Sequence, residues 1–334
     1  ELASSDYLYY YFSSPQGKEK VGTILRHVAV AGITGSDLME LEISVPPKER
    51  QLSIADFLSN LDDRITLLRE TNVTLEAITQ ALFKAWFVDF DPVYAKQSGY
   101  APKGIDETTA TLFPDTFEHS ELGQVPKGWN VRAVGEVIEA VGGASPDTKD
   151  ESYWEPAEDF WTTPKDLSGR QAPVLLQTER KISSKGLTKI SSGLLPAGSL
   201  LLSSRAPIGY LALAQVPIAI NQGYIGMLPN GLLSPLYMLH WCKQNMGLIK
   251  ARANGSTFME ISKKAFRPIP CLVPPQTILS AFDSQAKPIF DRIIENEKQA
   301  MSLSEIRDAL LPRLIAGRLV PEENKSSVKP SELL

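Results

Sequence analysis

Apolar residues between positions 48 and 87 recur at the spacing of an α-helix that packs along one face. The stretch contains neither Gly nor Pro, and its apolar positions step by four and three, which is the register of a coiled coil. One Asn takes part in this seam, which consists of Ile54, Leu58, Leu61, Ile65, Leu68, Asn72 and Leu75. The pattern predicts one helix of about 40 residues, or roughly 60 Å at 1.5 Å per residue.

The same pattern returns 228 residues later, so the chain contains a long internal repeat. The two copies align without a gap, and the matched segments are Pro46-Pro47 with Pro274-Pro275, Asp63-Arg64-Ile65 with Asp291-Arg292-Ile293, and Leu8-Tyr9 with Leu236-Tyr237. A second helix is expected to pack against the first through Phe282, Ala286, Ile289, Ile293, Asn296, Ala300 and Leu303, followed by Leu310 and Leu314. A helical hairpin that only forms a core fits the pattern, but the repeat favours a spacer between two modules.

Proline residues distinguish the second copy from the first. Pro288 and Pro312 fall inside the predicted helix. Because Pro lacks a backbone N–H and crowds the preceding turn, we expect kinks or a break there.

A different pattern occupies residues 129–272, where short apolar runs alternate with turn residues. The runs at 174–176, 199–202, 211–214 and 224–227 predict strands, and residues 236–251 predict a helix. The sequence therefore predicts the α+β class, with a mixed module built on a twisted β-sheet and two long helices. A connector rich in Pro, Gly, Asp and Thr fills residues 91–128, and its length favours a functional or mobile segment.

Charge is distributed unevenly along the chain. The formal net charge is −5, but residues 165–275 carry thirteen Lys and Arg against three Asp and Glu, which leaves +10 there and −15 elsewhere. A basic module is typical of phosphate binding, although a solvated surface without a partner is about as common. Two Cys and three His, widely spaced, argue against a disulfide framework or a zinc site and favour a reducing cytoplasm. No apolar run is long enough to span a membrane.

Cations within the basic stretch are candidate contacts to DNA. Those expected to bind it are Lys165, Arg170, Arg180, Lys181, Lys185 and Lys189. Ser183, Ser184 and Gly186 suit a close backbone approach to phosphate. We expect Lys181 and Lys185 to add affinity that does not depend on base sequence.

A second candidate set surrounds two turns. Arg205 lies at a strand-to-turn boundary, where an Arg either contacts a phosphate or a guanine edge or braces the turn, and both interpretations stay open. The remaining members form a polar loop and are Arg252, Asn254, Ser256 and Thr257. Arg205 or Arg252 is expected to discriminate between sequences. We assign the amides of Asn221 and Gln222 to tying a turn together rather than to pairing with adenine.

The chain lacks the sequence motifs of two classes of enzyme. The chain has no Gly-x-x-x-x-Gly-Lys-Ser/Thr phosphate loop and no Asn/Asp-Pro-Pro-aromatic run of an adenine methyltransferase. A metal-dependent nuclease could use two carboxylates and a lysine, and the candidates here are Asp147, Glu179 and Lys181. Such a combination often occurs by chance. Such a nuclease requires these three side chains to converge.

Several motifs resemble those of Type I restriction-modification specificity subunits, and together they span almost the whole chain. They are Trp86-Phe87-Val88-Asp89-Phe90-Asp91-Pro92, Leu112-Phe113-Pro114-Asp115-Thr116-Phe117, Ser120-Glu121-Leu122-Gly123-Gln124-Val125-Pro126-Lys127-Gly128-Trp129, Ser204-Arg205-Ala206-Pro207-Ile208-Gly209, Ile220-Asn221-Gln222-Gly223, Asn254-Gly255-Ser256-Thr257 and Val273-Pro274-Pro275.

The resemblance implies a reader of DNA sequence that catalyses nothing itself. In such subunits two target-recognition domains each read one half of a split site, held apart by two antiparallel helices that dock methyltransferase subunits. The implied divisions are 1–45 for the end of a first target-recognition domain, 46–90 for a spacer helix, 91–128 for the connector, 129–272 for a second target-recognition domain, 273–320 for a second spacer helix and 321–334 for a flexible tail. The spacer and partner-binding positions are Leu58, Leu61, Ile65, Leu68, Ile289, Ile293, Leu303 and Leu310. Because few residues precede Pro46, we expect a truncated first domain.

The resemblance also implies partners and cofactors. Double-stranded DNA, methyltransferase subunits and, through the complex, restriction subunits are the expected partners, in the cytoplasm and without a membrane. S-adenosylmethionine, ATP and Mg²⁺ are expected on those subunits and none of them on this chain. The alternative is a coiled-coil scaffold without sequence-specific DNA binding, which explains the helices but not the basic stretch.

Overall fold

The computed structural model describes residues 2–24, 32–205, 207–255 and 259–321. The helices are α1 (Ser5–Ser13), α2 (Pro15–Gly22), α3 (Gly35–Met39), α4 (Lys48–Phe87), α5 (Asp91–Gln97), α6 (Glu107–Thr111), α7 (Val134–Val137), α8 (Ser184–Leu187), α9 (Pro235–Gln244), α10 (Met246–Ala251), α11 (Lys263–Phe266) and α12 (Gln276–Ile315). The strands are β1 (Phe117–Ser120), β2 (Gly123–Pro126), β3 (Asn130–Ala133), β4 (Ala140–Gly142), β5 (Asp159–Thr162), β6 (Val174–Leu175), β7 (Arg180–Ile182), β8 (Leu200–Ser203), β9 (Leu211–Ala214), β10 (Ile218–Ile220), β11 (Tyr224–Met227) and β12 (Pro270–Val273).

The chain divides into two compact units. The first combines Glu1–Glu70 with Lys298–Leu334, and the second is Thr71–Glu297. The long helices α4 and α12 each contribute residues to both units.

The two long helices confirm the predicted repeat. Both contain 40 residues, and both their first and their last residues lie 228 positions apart in the sequence. Of the expected kinks or break, the break is wrong, because α12 continues through Pro288 and Pro312, while kinks at these residues stay a prediction. A proline inside a helix costs about 3 kcal/mol. Burial of Phe290 and Leu314, two residues beyond the two prolines, offsets this cost, since one buried apolar side chain contributes roughly 1.5–3 kcal/mol.

In the first unit, α1 packs on the N-terminal part of α4 and the C-terminal part of α12. The core of this unit consists of Tyr7, Tyr10, Tyr11, Ile54, Ala55, Leu58, Leu311 and Leu314. A smaller cluster joins Ile65 and Leu68 to Ala300, with Leu303 packed against it. Residues later in α4 therefore contact residues earlier in α12, which shows that the two helices are antiparallel.

The N-terminal part of the repeat has a different register from the predicted one. At the predicted offset Tyr9 matches Tyr237, but Tyr9 is 65% exposed and Tyr237 is buried. A shift of two residues matches the buried Tyr7 with Tyr237 and places Ser4 and Ser234 at the N-caps of α1 and α9. The helix repeat is gapless, whereas the module before it is displaced by two residues.

The second unit contains the mixed module. Within the described residues a five-stranded sheet has the order β4-β11-β8-β9-β6, and a three-stranded sheet has the order β10-β5-β7. Helix α9 packs on β8 and β9, so the apolar runs expected to form strands are buried. The predicted helix over residues 236–251 is instead two helices, α9 and α10, because Asn245 interrupts it and donates its side-chain amide to the Trp241 carbonyl at 2.9 Å.

The connector is folded and belongs to the core of the second unit. It forms α5, α6 and the antiparallel hairpin of β1 and β2. Its rings pack on neighbouring elements, with centroid distances of 5.1 Å between Phe113 and Trp86 and 6.1 Å between Phe117 and Phe90. Residues 322–334, most of the predicted flexible tail, lie outside the described residues. In the described ranges no helix combines the length and apolarity needed to cross a membrane.

Candidate nucleic-acid interface

Strand β7 carries two of the predicted DNA contacts and forms one edge of the three-stranded sheet. It pairs with β5 in an antiparallel register that places Trp161 opposite Arg180 and Phe160 opposite Lys181. Residues directly opposite in a ladder share a face of the sheet. Each cation is therefore positioned beside an aromatic side chain.

Two tryptophans hold the Arg180 guanidinium. Its carbon lies 3.7 Å from the ring centroid of Trp154 and 5.6 Å from that of Trp161. Both indoles are buried, and their N–H groups donate to the carbonyls of Asp147 and Ala144 at 3.1 and 3.3 Å. These hydrogen bonds fix the orientation of the two rings, and the Arg180 side chain packs on them.

Three lysines contact further rings beside the two tryptophans. The Lys181 ammonium lies 4.9 Å from the Phe160 centroid, and those of Lys185 and Lys189 lie 5.0 and 5.6 Å from Tyr153. All four cations are exposed. We name the aromatic–basic surface by its residues, which are Tyr153, Trp154, Phe160, Trp161, Arg180, Lys181, Lys185 and Lys189.

Carboxylates lie close to the aromatic–basic surface and reduce its positive charge. Lys185 donates to the Ser152 hydroxyl at 2.5 Å and lies 4.0 Å from the Asp150 carboxylate. The Ser152 hydroxyl also bonds Asp150 and holds the pKa of that carboxyl below its usual range. Residues 150–159 contain five acidic residues. Residues 129–272 together contain fifteen Lys and Arg and eleven Asp and Glu, which leaves +4, well below the +10 counted over residues 165–275.

Three residues were expected to allow a phosphate to approach the backbone closely. In the structure they contact other parts of the same chain. An added Cβ on Gly186 would lie 2.2 Å from the Tyr153 carbonyl oxygen. Ser183 donates to the Ser152 carbonyl at 2.7 Å, and Ser184 donates to the Glu158 carboxylate. The close approach at Gly186 is therefore to backbone of the same chain, and a close approach of phosphate at these positions stays a prediction.

Lys165 and Arg170 have partners within the module. The Lys165 ammonium donates to Glu179 at 2.8 Å, which raises the pKa of Lys165. Arg170 donates to the carbonyls of Asp166 at 2.6 Å and Val174 at 3.4 Å. Both side chains are tied to local structure, and their predicted DNA contacts stay predictions.

The second candidate set lies around Glu260. Arg205 approaches the Glu260 carboxylate at 3.7 Å, and the backbones of Asn254 and Glu260 exchange two hydrogen bonds of 2.9 Å. Arg252 follows α10 and is exposed. Ser256 and Thr257 lie outside the described residues. For Arg205, the ion pair favours the interpretation that it braces the turn.

The amide motif and the nuclease set also have local partners. The Asn221 side-chain oxygen accepts from the Gly223 N–H at 2.9 Å, in agreement with its assignment to a turn. Asp147 accepts from the Lys149 N–H at 2.9 Å, while Glu179 pairs with Lys165. In the part of the chain that the structure describes, no cluster of three or more His, Cys, Asp or Glu side chains is placed to hold a metal ion.

The predicted spacer positions lie in the seam between the long helices. In the first unit Leu58, Ile65 and Leu68 are buried, and in the second unit Ile293 is buried. The other positions are half-buried and are Leu61, Ile289, Leu303 and Leu310. The buried side chains join the two helices to each other, and the binding of partner subunits at these positions stays a prediction.

The aromatic partners are the residues that the sequence analysis missed. Tyr153, Trp154, Phe160 and Trp161 come from residues 153–161, which lay outside the predicted strands. The signal in the sequence was the density of rings and carboxylates just before the basic stretch. The pairing of β5 with β7 connects Phe160 and Trp161 to Lys181 and Arg180, whereas Trp154 contacts Arg180 from the segment before β5.

The sequence matches the Type I restriction modification DNA specificity domain family over residues 2–77 and 126–299, more than half of the chain. The chain belongs to this family. The matched segments of this specificity-domain protein include α1, most of α4, the mixed module and part of α12.

Specificity subunits from several organisms are similar to this family member. It is 30% identical over 327 residues to the Type I restriction enzyme MjaIX specificity subunit of Methanocaldococcus jannaschii, covering 96% of this chain and 70% of that protein. It is 28% identical over 328 residues to the Type I restriction enzyme HindI specificity subunit of Haemophilus influenzae, covering 86% and 71%. The crystal structure of the Type-I restriction-modification system S subunit from M. genitalium matches with a TM-score of 0.54 at 17% identity, over 94% of this chain and 73% of that chain. That likeness shows a shared fold.

Proposed function

We propose that this chain reads DNA sequence as the specificity subunit of a Type I restriction-modification complex. The observation that carries the proposal is the family match, which spans the helix repeat as well as the mixed module. The aromatic–basic surface adds exposed cations on a rigid sheet edge, and such cations supply both phosphate and base contacts in DNA-binding proteins.

The mixed module is the part that contacts DNA in this proposal. It reads one half of a split site, and the long helices provide the attachment for methyltransferase subunits. Restriction subunits join through the complex. The chain catalyses no reaction, and S-adenosylmethionine, ATP and Mg²⁺ bind the partner subunits in the cytoplasm.

The module offers several cations to DNA without breaking an existing ion pair. In the described residues, Arg180, Lys181, Lys189 and Arg252 are exposed and take part in no ion pair. Each phosphate that such a side chain neutralises releases counterions, so binding is expected to weaken steeply with salt. Lys165, Lys185 and Arg205 are expected to contribute less, because each already has an acidic neighbour.

A selection experiment tests this function. The full chain, with and without a methyltransferase subunit of the same system, is incubated with a randomised duplex pool at physiological salt, and the bound DNA is sequenced. Enrichment of a short motif, alone or as part of a split site, supports sequence reading. Binding of the methyltransferase subunit with no enriched motif would support the coiled-coil scaffold and overturn the proposal.

A further inference from the structure

We infer that Arg180 reads a guanine, with its guanidinium donating to O6 and N7 of that base in the major groove. The inference rests on the proposed function, because it assumes that the module binds duplex DNA. It changes the role expected from the sequence, which was to help anchor the DNA.

The hydrogen-bonding capacity of Arg180 is unused in the folded chain. Arg170 donates to two carbonyls, and Arg205 approaches a carboxylate. Within the described residues the Arg180 guanidinium contacts only the faces of Trp154 and Trp161. Its carbon lies over the Trp154 ring, and in the described residues no hydrogen bond or ion pair uses its five N–H donors, so they are available to a ligand.

The side chain is also ordered before DNA binds. Trp154 and Trp161 pack against each other at 5.0 Å and 78°, and both are nearly fully buried. A guanidinium held against them loses fewer rotamers on binding than a free one does, which improves affinity and fixes the direction of its donors. Arg252 is exposed but has no ring contact and no ion pair in the described residues.

The local charge favours a base over a phosphate as the partner of Arg180. Asp159 lies two residues before Trp161 on β5 and therefore shares the face of the sheet on which Trp161 stands opposite Arg180. Carboxylates repel a phosphate but not the neutral edge of a base pair. Lys181, a flexible point charge without a carboxylate partner in the described residues, suits a phosphate better. A planar fork matches the two acceptors of guanine, which is the commonest specific contact between proteins and DNA.

The experiment compares the parent with Arg180→Ala, Arg180→Lys and Lys181→Ala, each as the full chain with its methyltransferase subunit. The parent is expected to enrich a motif containing an essential guanine. Both Arg180 variants are expected to lose about tenfold or more of the preference for guanine at that position and to keep the rest of the motif. Lys181→Ala is expected to weaken binding to all sequences alike and to reduce the salt dependence by about one phosphate contact. Thermal unfolding of each variant checks that it folds.

A modified base provides the sharper readout. Replacing the guanine in the enriched site by 7-deazaguanine removes N7, which is expected to weaken binding of the parent about tenfold and of Arg180→Ala not at all. An unchanged motif in Arg180→Ala would overturn the inference while leaving the proposed function intact. A uniform loss of affinity with a reduced salt slope would also overturn it, because Arg180 would then contact a phosphate. If the parent enriched no motif, the proposed function and this inference would fail together.

Discussion

Asn72 and Asn296 face each other between the two long helices, where the Asn296 amide donates to the Asn72 side-chain oxygen at 2.9 Å. Asn72 in turn donates to the Ile293 carbonyl at 3.3 Å and to Glu297 at 2.8 Å. Both asparagines are buried in a seam that is otherwise apolar. A buried polar pair of this kind fixes the register of two helices at a cost in stability.

This pair predicts a specific pattern among seam variants. Asn72→Leu should lower the free energy of unfolding by about 1–3 kcal/mol, because it leaves the buried Asn296 amide without an acceptor. Asn72→Leu combined with Asn296→Leu should recover that loss or exceed the parent, since two leucines pack in the seam without an unpaired polar group. Urea unfolding of the parent, both single variants and the double variant measures the effect.

A neighbouring exposed residue controls for general effects on the helix. Val73 is 54% exposed, so Val73→Ala should change the stability by less than about 0.5 kcal/mol. A double variant that is no more stable than Asn72→Leu would show that the hydrogen bond between the two asparagines is not what the single variant disturbs.

The long helices could be predicted because their signal is local and repeated. Seam positions such as Leu58 and Ile65 are set by the period of one helix, and the second copy repeats the period over 40 residues. The effect of Pro288 could not be predicted in the same way, because the packing of Phe290 on distant residues outweighs a local helix-breaking preference.

The candidate site could be predicted only as a list of cations. The distinction among them depends on which residues the fold places beside each one: Trp154 beside Arg180, Glu179 beside Lys165, Glu260 beside Arg205. Strands β5 and β7 are short and of mixed polarity, and their pairing joins residues about twenty positions apart. Neither the periodicity of apolar residues nor the count of charges predicts the register in which these two strands pair.

His240 makes the second unit sensitive to acid. It stacks on Phe83 at 5.7 Å, and burial lowers its pKa to about 3, with the nearby Lys243 ammonium acting in the same direction. In the unfolded chain its pKa is about 6.5. The unfolded state therefore binds the proton first, and stability present above pH 6.5 is lost progressively as the pH falls toward 3, by about 1.4 kcal/mol per pH unit.

His240→Leu should remove this contribution. Between pH 7 and pH 5 the parent should lose about 2 kcal/mol more than the variant, since the titration of all carboxylates is common to both proteins. Chemical denaturation of the two proteins at both pH values gives the difference. Equal losses would mean that His240 becomes protonated in the folded protein as readily as in the unfolded one.

The Ser203 hydroxyl stabilises the turn that contains Arg205, and Arg205 forms an ion pair with Glu260. Its hydroxyl donates to the Pro207 carbonyl at 2.7 Å and accepts from the N–H groups of Gly209 and Tyr210 at 3.1 and 2.8 Å. Ser203→Ala should reduce stability by about 1–3 kcal/mol, because the Pro207 carbonyl and the Tyr210 N–H lose their side-chain partner in a part-buried turn. Ser204→Ala is the matched control, since Ser204 is equally buried and its hydroxyl forms no hydrogen bond in the described residues. Similar losses in thermal unfolding for the two variants would contradict this role of Ser203.

Gly186 couples α8 to the aromatic–basic surface. An added Cβ there would lie 2.2 Å from the Tyr153 carbonyl oxygen and 2.6 Å from Cγ1 of Ile182. The Tyr153 backbone and the buried Ile182 side chain have little room to move. Gly186→Ala should therefore displace the turn that contains Tyr153 and lower the free energy of unfolding by about 1–3 kcal/mol. Because Trp154 follows in the same turn, the support of Arg180 should weaken, and DNA affinity should fall together with stability.

Gly247 provides the opposite case on α10. Nothing lies within 4 Å of an added Cβ there, and replacing Gly by Ala in a helix is favourable by roughly 0.5–1 kcal/mol. Gly247→Ala should therefore raise the urea midpoint while Gly186→Ala lowers it, although the chemical change is the same. If Gly186→Ala kept the midpoint and the DNA affinity of the parent, the contact between α8 and the Tyr153 turn would not be what holds the aromatic–basic surface in place, and the order of Arg180 would have to come from the pairing of β5 with β7 alone.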